Sequence, residues 1–163
     1  MFTDLPPFTL VHVIISLIGI VSGLAVFVGL INSKPLDGWT ALFLATTVLT
    51  SVTGFFLPAD HLMPSHVVGT ISLIVLGIAI AARYLYHLRG AWRRTYVITA
   101  MIALYFNVFV LIAQLFAKVP SLKALAPTQS EPPFLIAQLT VMALFVVATI
   151  VASRGFRSAA TVS

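Results

Sequence analysis

Five long apolar runs, separated by short segments rich in proline and glycine, dominate the chain. They cover residues 8–31, 39–57, 66–88, 95–117 and 134–153. A helix needs about 20 apolar residues to cross a bilayer, and a backbone in hydrocarbon must satisfy its own hydrogen bonds. Each run is therefore predicted to be a membrane-spanning helix. The expected fold is an all-α integral membrane protein, a five-transmembrane-helix bundle that forms a single membrane domain over residues 1–163.

The composition points to the same class of protein. Charged residues make up 8% of the chain, whereas a soluble domain carries about 25%. The formal net charge of +5 does not indicate a nucleic-acid partner, because the nine lysines and arginines lie at the ends of the apolar runs. Basic residues in such positions set membrane topology, so no nucleic acid is expected to bind. The chain has no cysteine, which excludes disulfides, thiolate metal sites and thiol catalysis.

The distribution of lysine and arginine predicts that the N-terminus lies outside and the C-terminus inside. This threading leaves only Lys118 and Lys123 in the outer segments. The inner segments hold Lys34, Arg83, Arg89, Arg93, Arg94, Arg154 and Arg157. Because excess basic charge marks the cytoplasmic side, we expect a multi-pass protein of a bacterial inner (plasma) membrane. The aromatic residues predicted to lie at the inner headgroup boundary are Trp39, Tyr84, Tyr86, Trp92 and Tyr96.

Histidines and one aspartate gather near the predicted outer face. His12 shares one stripe of the first predicted helix with Gly19 and Gly23, a GxxxG pair of the kind that lets another helix pack closely. His66 opens the third run at the same face and shares its predicted inward stripe with Thr70, Gly77 and Tyr84. The intervening segment, PADHLMPSH, adds Asp60 and His61. Side chains from two helices and one loop are thus predicted to meet there.

Several interpretations of this cluster stay open. His12 and His66 could ligate a b-type haem from two helices, and the layout of the spans resembles that of small b-type cytochrome subunits. Zinc or copper could instead recruit His12, Asp60, His61 and His66. Histidine also titrates near neutral pH, which makes proton chemistry a third interpretation. The structural alternative is that His12 only hydrogen-bonds a neighbouring helix.

A second set of polar residues lies deeper in the predicted membrane region. Asn107 is near the middle of the fourth run and shares a stripe with Gln114. An unpaired carboxamide in hydrocarbon costs several kcal/mol, so Asn107 must face a partner or a water-filled space. The expected partner is the threonine-rich second run, whose Thr46 and Thr50 would line a polar pathway, with Gln138 of the fifth run nearer the outer face. The set is interpreted either as hydrogen bonds between helices or as a polar pathway.

The sequence contains no motif of an enzyme. Nucleophile elbows, phosphate-binding loops and the HExxH zinc motif are all absent. The first functional expectation is a non-enzymatic accessory, assembly or minor transport component that acts through helix contacts, in a larger membrane complex or a homo-oligomer. The alternatives are the haem or metal protein described above and a small-solute channel or carrier lined by the second and fourth spans. The proline-rich segment 120–133 is predicted to be stiff and extended.

Overall fold

The chain folds into helices that run back and forth along one axis. The computed structural model describes residues 4–57 and 64–156, and only the backbone of residues 64 and 65. These residues contain no strand, and 83% of the structure is helix. The helices are α1 (Pro7–Ile31), α2 (Asp37–Gly54), α3 (Pro64–Ile80, continued by a π-helical turn at Ala81–Leu85), α4 (Ala91–Lys118), α5 (Pro120–Leu125) and α6 (Pro132–Gly155).

Four of these helices are long and apolar enough to cross a membrane. They are Pro7–Ile31, His66–Leu85, Ala91–Lys118 and Pro132–Gly155. The second predicted span is a helix of 18 residues, α2, but it is not among these four. Its apolar character is diluted by threonine and serine, several of whose hydroxyls donate to carbonyls one turn earlier, for example Thr46 to Leu42. The all-helical, membrane-compatible class is thereby confirmed.

Helices α1 to α4 form a ring, and α6 packs outside it against α1 and α4. The helices α1, α3 and α6 begin at one end of the bundle, here called the N-terminal end, where α2 and α4 finish. Toward the opposite, C-terminal end the ring is filled by a packed core around Phe43, Leu76, Tyr96 and Leu104. The α6 helix is mostly exposed on its outer side, as expected for an apolar helix against lipid.

The structure corrects the predicted inward stripe of α3. Thr70, Gly77 and Tyr84 are exposed. The buried face instead carries Ser72, Leu76, Ala79, Ala82 and Arg83. Because α3 is apolar on all sides, hydrophobic periodicity does not indicate which face turns inward, and small residues that permit close packing decide it.

Tyr96, which was predicted to lie at the inner headgroup boundary, points into the bundle. Its side chain is fully buried in the core, with the ring centroid 5.2 Å from the guanidinium carbon of Arg83. Tyr86 and Trp92, by contrast, stack on one another at the C-terminal end, with ring centroids 4.0 Å apart. Since helix α4 begins at Ala91, four residues earlier than predicted, Tyr96 lies more than a full turn inside the helix.

The segment between α4 and α6 is more ordered than the predicted extended linker. It contains the short helix α5, and Gln129 of the following turn donates its side-chain amide to the carbonyl of Ala113 at 2.8 Å. The carboxylate of Glu131 accepts hydrogen bonds from the hydroxyl and backbone N–H of Thr128. The Thr128 hydroxyl is the main reason that the pKa of Glu131 is lowered. Prolines alone therefore did not determine this segment, because local hydrogen bonds folded it back onto α4.

Candidate functional site

His12 lies on α1 near the N-terminal end of the bundle and contacts α2. Its Nδ1 is 2.7 Å from the hydroxyl oxygen of Thr53. Its Cε1 faces Gly54, at 3.6 Å from the position that a Cβ would occupy there. The ring is therefore held against the last turn of α2, half-buried and with one nitrogen bound.

The hydrogen bonds of Thr53 favour Nδ1 as the nitrogen of His12 that carries the proton. The Thr53 hydroxyl donates to the carbonyl of Leu49, one turn earlier in α2, at 2.6 Å. Because its single proton is committed, the Thr53 oxygen accepts from His12, and in the neutral ring Nδ1 carries the hydrogen. Nε2 then holds a lone pair. It has no hydrogen-bond partner within residues 4–57 and 64–156.

His66 lines the same cavity as His12. Its ring packs against Phe55, with the two centroids 5.7 Å apart and the planes at 50°. The Phe55 ring in turn lies against Gly69, where an added Cβ would come within 3.3 Å. The other two predicted members of the cluster, Asp60 and His61, lie outside the described residues. Within the described ranges, no three His, Asp or Glu side chains come together as a metal site would require.

Asn107 closes the inner end of this cavity. Its Nδ2 points toward the hydroxyl of Thr47 at 3.5 Å, a long hydrogen bond between α4 and α2. Gly19 of α1 packs on both side chains, since a Cβ added there would lie 3.3 Å from the Thr47 hydroxyl and 3.4 Å from the Asn107 amide. Three helices thus meet at Gly19, and Asn107 is hydrogen-bonded to Thr47 of α2.

The other residues of the second predicted polar set lie in different places. Thr50 and Gln114 line the cavity. Thr46 is buried beside Gly19, with its hydroxyl bonded to its own helix. Gln138 of α6 donates to the carbonyl of Phe109 at 3.1 Å and joins α6 to α4 outside the cavity. Some residues of this set therefore line the cavity, and others lie in contacts between helices.

The cavity itself has a volume of about 530 Å³ and lies inside the ring of α1 to α4. This is within the range of roughly 300 to 1,000 Å³ that is usual for small-molecule sites. It extends along α4 from Lys118 down to Asn107, a length of about 16 Å at about 1.5 Å per residue. His12 and Asn107, predicted as members of two separate sites, line this one space.

Most of the cavity wall is apolar, with a few polar groups set into it. The apolar part includes Leu17, Ile20, Phe55, Phe106 and Leu111. Sequence reasoning did not assign Ser51, Ser72 or Lys118 to the site. Ser51 donates to Ser72 at 3.2 Å across the α2–α3 contact, and Lys118 is the one lysine or arginine in the described part of the wall. The serines could have been found as polar residues within apolar runs, but their pairing depends on helix rotation.

Below Asn107 the bundle is closed by direct packing. Gly23, one turn after Gly19, faces Leu104 of α4 and Phe43 of α2. A Cβ added at Gly23 would lie 2.5 Å from Leu104 and 3.0 Å from the Phe43 ring. Leu104 and Phe43 are both buried almost completely. The predicted packing glycines therefore have different neighbours: Gly19 packs on Thr47 and Asn107 at the level of the cavity floor, and Gly23 packs on the core beneath it.

An ion pair between a buried arginine and an exposed aspartate lies at the opposite end of the bundle. Arg83, in the π-helical turn after α3, has a side chain that is 6% exposed and donates to Asp37 Oδ1 at 2.5 Å. The same nitrogen, Nη2, also approaches the carbonyl of Pro35 at 3.3 Å. Nη1 has no hydrogen-bond partner in the part of the chain that the structure describes. This group joins α3 to the start of α2 and is separated from the cavity by the core.

Comparison with known proteins gives no relative for this chain. No family model matches it, and neither a curated protein nor a solved structure is similar to it. Its function is therefore inferred from the cavity and from the side chains that line it.

Proposed function

We propose that this protein binds a small, mostly apolar molecule in the cavity lined by α1 to α4. The observation that carries the proposal is a space of about 530 Å³, apolar over most of its wall, that holds polar groups from all four helices. Apolar walls retain water poorly, whereas a lipophilic ligand replaces it favourably. The few polar groups then orient the ligand, as is usual in small-molecule sites.

Direct packing at Gly23 favours a binding protein or carrier over an open channel. A channel needs a continuous path, but Phe43 and Leu104 fill the space beneath Asn107. A carrier would have to separate these two side chains during its cycle. An accessory role in a larger membrane complex or a homo-oligomer stays a prediction and is compatible with ligand binding.

The proposal includes five membrane spans, with the N-terminus outside and the C-terminus inside a bacterial plasma membrane. The course of the chain supports α2 as the fifth span, because α1 and α3 run in the same direction and α2 connects them. At about 1.5 Å per residue its 18 residues cover about 27 Å. The excess of lysine and arginine at the C-terminal end supports the orientation.

This threading predicts which sites an impermeant thiol reagent reaches. The chain has no cysteine, so single substitutions at exposed positions report one site each. Ala124→Cys, in α5, is expected to label in intact spheroplasts, and Gly38→Cys, at the start of α2, only after permeabilisation. If α2 did not span, both positions would lie on one side and label together. The opposite pattern of labelling would reverse the orientation.

A cavity-filling substitution tests ligand binding. Ser16 lines the cavity, and among the described residues its hydroxyl bonds only to the carbonyl of His12 in its own helix. Ser16→Phe therefore adds volume to the cavity without leaving a partner unpaired on another helix. We expect this variant to weaken binding of 2-naphthol and 2-methoxynaphthalene to the protein in phosphatidylcholine nanodiscs by at least about tenfold, since the ligand and the phenyl ring would overlap.

The matched control adds the same side chain on the lipid-facing side of α1. Val21 is 61% exposed, so Val21→Phe should leave the affinities unchanged. Binding is measured by saturation-transfer NMR and corrected with empty nanodiscs. Unchanged affinity in Ser16→Phe, or no saturable binding of either naphthalene to the native protein, contradicts the proposed function.

A second candidate function is ligation of haem b by His12 and His66. One observation favours it: metal-bound histidines commonly donate the N–H of the other ring nitrogen to a neighbouring acceptor, and Nδ1 of His12 lies 2.7 Å from the Thr53 hydroxyl oxygen. Both histidines also line the same cavity. The absorption spectrum of the purified preparation decides, because a Soret band lost in His12→Ala supports this candidate. A colourless protein from haem-replete cells removes it.

A further inference from the structure

We infer that the ligand is an uncharged lipophile carrying a hydroxyl or N–H group, and that it donates this hydrogen to Nε2 of His12, which Thr53 holds in position. The inference rests on the proposed ligand site and narrows it to one class of molecule. It also assigns to Thr53 a role as a positioning residue, although Thr53 is not part of the cavity wall.

His12 offers a hydrogen-bond acceptor to the cavity at Nε2. Thr53 is bonded on both sides, since it donates to Leu49 at 2.6 Å and contacts His12 Nδ1 at 2.7 Å. Back-donation to a carbonyl one turn earlier leaves the hydroxyl only as an acceptor toward the imidazole. The neutral ring therefore presents a lone pair, not a hydrogen, at Nε2. A ligand that reaches Nε2 must bring the hydrogen itself.

Several other polar groups of the cavity wall already have hydrogen-bond partners. The hydroxyls of Ser16 and Thr50 donate to their own helices, and the Ser51 hydroxyl donates to Ser72. The amide nitrogen of Asn107 is directed at Thr47, which leaves Oδ1, a second acceptor, without a partner in the described ranges. The hydroxyl hydrogens of these three residues are thus committed, while two acceptors, Nε2 of His12 and Oδ1 of Asn107, are unused. The amide of Gln114 and the ammonium of Lys118 also line the wall and can donate to an oxygen of the ligand. A ligand that carries its own donor can use both unused acceptors.

The charged residues of the cavity wall limit the charge that a ligand can carry. No aspartate, glutamate or arginine lines the described cavity wall, and its one lysine, Lys118, is at the end away from Asn107. A charged group deep in the cavity would lose its hydration without gaining an ion pair, which is strongly unfavourable. The part of the ligand beside His12 and below it is therefore uncharged.

Two probes that differ by one hydrogen-bond donor test the inference. 2-Naphthol and 2-methoxynaphthalene share the aromatic body and the oxygen, but only the naphthol can donate. In nanodiscs, after correction for partition into lipid, the native protein should bind 2-naphthol about fivefold more tightly, the ratio that one neutral hydrogen bond supplies. In His12→Phe this ratio should fall towards one, because the ring is kept and the acceptor is lost.

The positioning role of Thr53 has its own matched pair of variants. Thr53→Val removes the acceptor for Nδ1–H at nearly constant shape, and Thr53→Ser keeps it. The naphthol preference should fall to about twofold in the valine variant and persist in the serine variant. The ¹⁵N chemical shifts of the His12 imidazole should show a protonated Nδ1 in the native and serine proteins, and a mixture of tautomers in the valine variant. A merely structural defect would not move these shifts in this way.

The outcomes separate this inference from the proposed function. Equal affinity of the two naphthalenes, with both lost in Ser16→Phe, overturns the inference and leaves the ligand site standing. Tighter binding of 2-naphthoate than of 2-naphthol also overturns it, because an anionic ligand paired with Lys118 would then be favoured. Absence of saturable binding of all three probes removes the proposed function itself.

Discussion

Replacing Asp37 by asparagine is expected to lower the free energy of unfolding by about 2 kcal/mol, although the Asp37 side chain is 84% exposed. The cost arises on the partner. Arg83 is almost fully buried, and its charge is balanced by the single carboxylate at 2.5 Å. Asparagine keeps an oxygen that can accept from Nη2 but removes the negative charge. Among the described residues the buried cation then has only neutral neighbours: that amide, the Pro35 carbonyl and the faces of Tyr84 and Tyr96, whose ring centroids are 5.9 and 5.2 Å from its central carbon.

The same physics predicts that removing the buried charge costs less than removing its partner. Arg83→Met replaces the guanidinium by an apolar chain of similar length and leaves Asp37 hydrated, so the expected loss is below about 1 kcal/mol. In the Arg83→Met background, Asp37→Asn should cost only the interaction of Asp37 with the N-terminus of α2, about 0.3 to 1 kcal/mol.

The measurement is a double-mutant cycle on the unfolding free energy in mixed detergent micelles. The expected coupling is large because Asp37→Asn is harmful only while Arg83 is present. Additive costs, or a smaller loss for Asp37→Asn than for Arg83→Met, would falsify the assignment of Arg83 as a buried charge that depends on Asp37.

Replacing Gly23 by alanine is expected to destabilise the bundle by about 1 to 3 kcal/mol, the usual cost of overpacking. The added methyl group would lie 2.5 Å from Leu104 and 3.0 Å from the Phe43 ring. Both side chains are almost fully buried, at 1% exposure each, so neither can move into free space. The helices α1, α2 and α4 would have to separate slightly at this level.

Gly77 provides the matched control for this prediction. It lies within α3, but nothing is within 4 Å of the Cβ position there. Gly77→Ala should therefore be neutral or slightly stabilising, since alanine favours the helix by up to about 1 kcal/mol. Both variants are compared by unfolding in detergent. Equal stability of Gly23→Ala and Gly77→Ala would contradict the packing described for Gly23.

The helices could be predicted from the sequence, because the requirement to bond the backbone in hydrocarbon acts on each apolar run separately. The predicted and observed bounds differ by a few residues, as at Ala91, where α4 begins directly after Gly90 with its positive φ of 55°. The direction in which α3 faces could not be predicted. Its lipid-facing Ile74 is as apolar as its buried Leu76, so no contrast in hydrophobicity marked the inward side.

The individual residues of the candidate site could be predicted from the sequence, but not that they share one cavity. His12 and Asn107 were conspicuous because polar groups within apolar runs need partners. Their joint cavity depends on how four helices are rotated about one another. The tautomer of His12 depends further on Thr53. Its hydroxyl donates to the Leu49 carbonyl and can therefore act only as an acceptor toward Nδ1 of the imidazole. Such chains of hydrogen bonds across helices leave no periodic signal in the sequence.

The sequence by itself determined that this chain is helical and compatible with a membrane, since both follow from the length and apolar character of local segments. It also identified Gly19 and Gly23 as a packing face. Only the tertiary structure decided that Gly19 packs on Asn107 and Gly23 on a closed core, and that Arg83 is buried and paired with the exposed Asp37. The physical reason is that lipid and protein interior are similarly apolar, so burial is determined by the shapes of side chains on several helices at once.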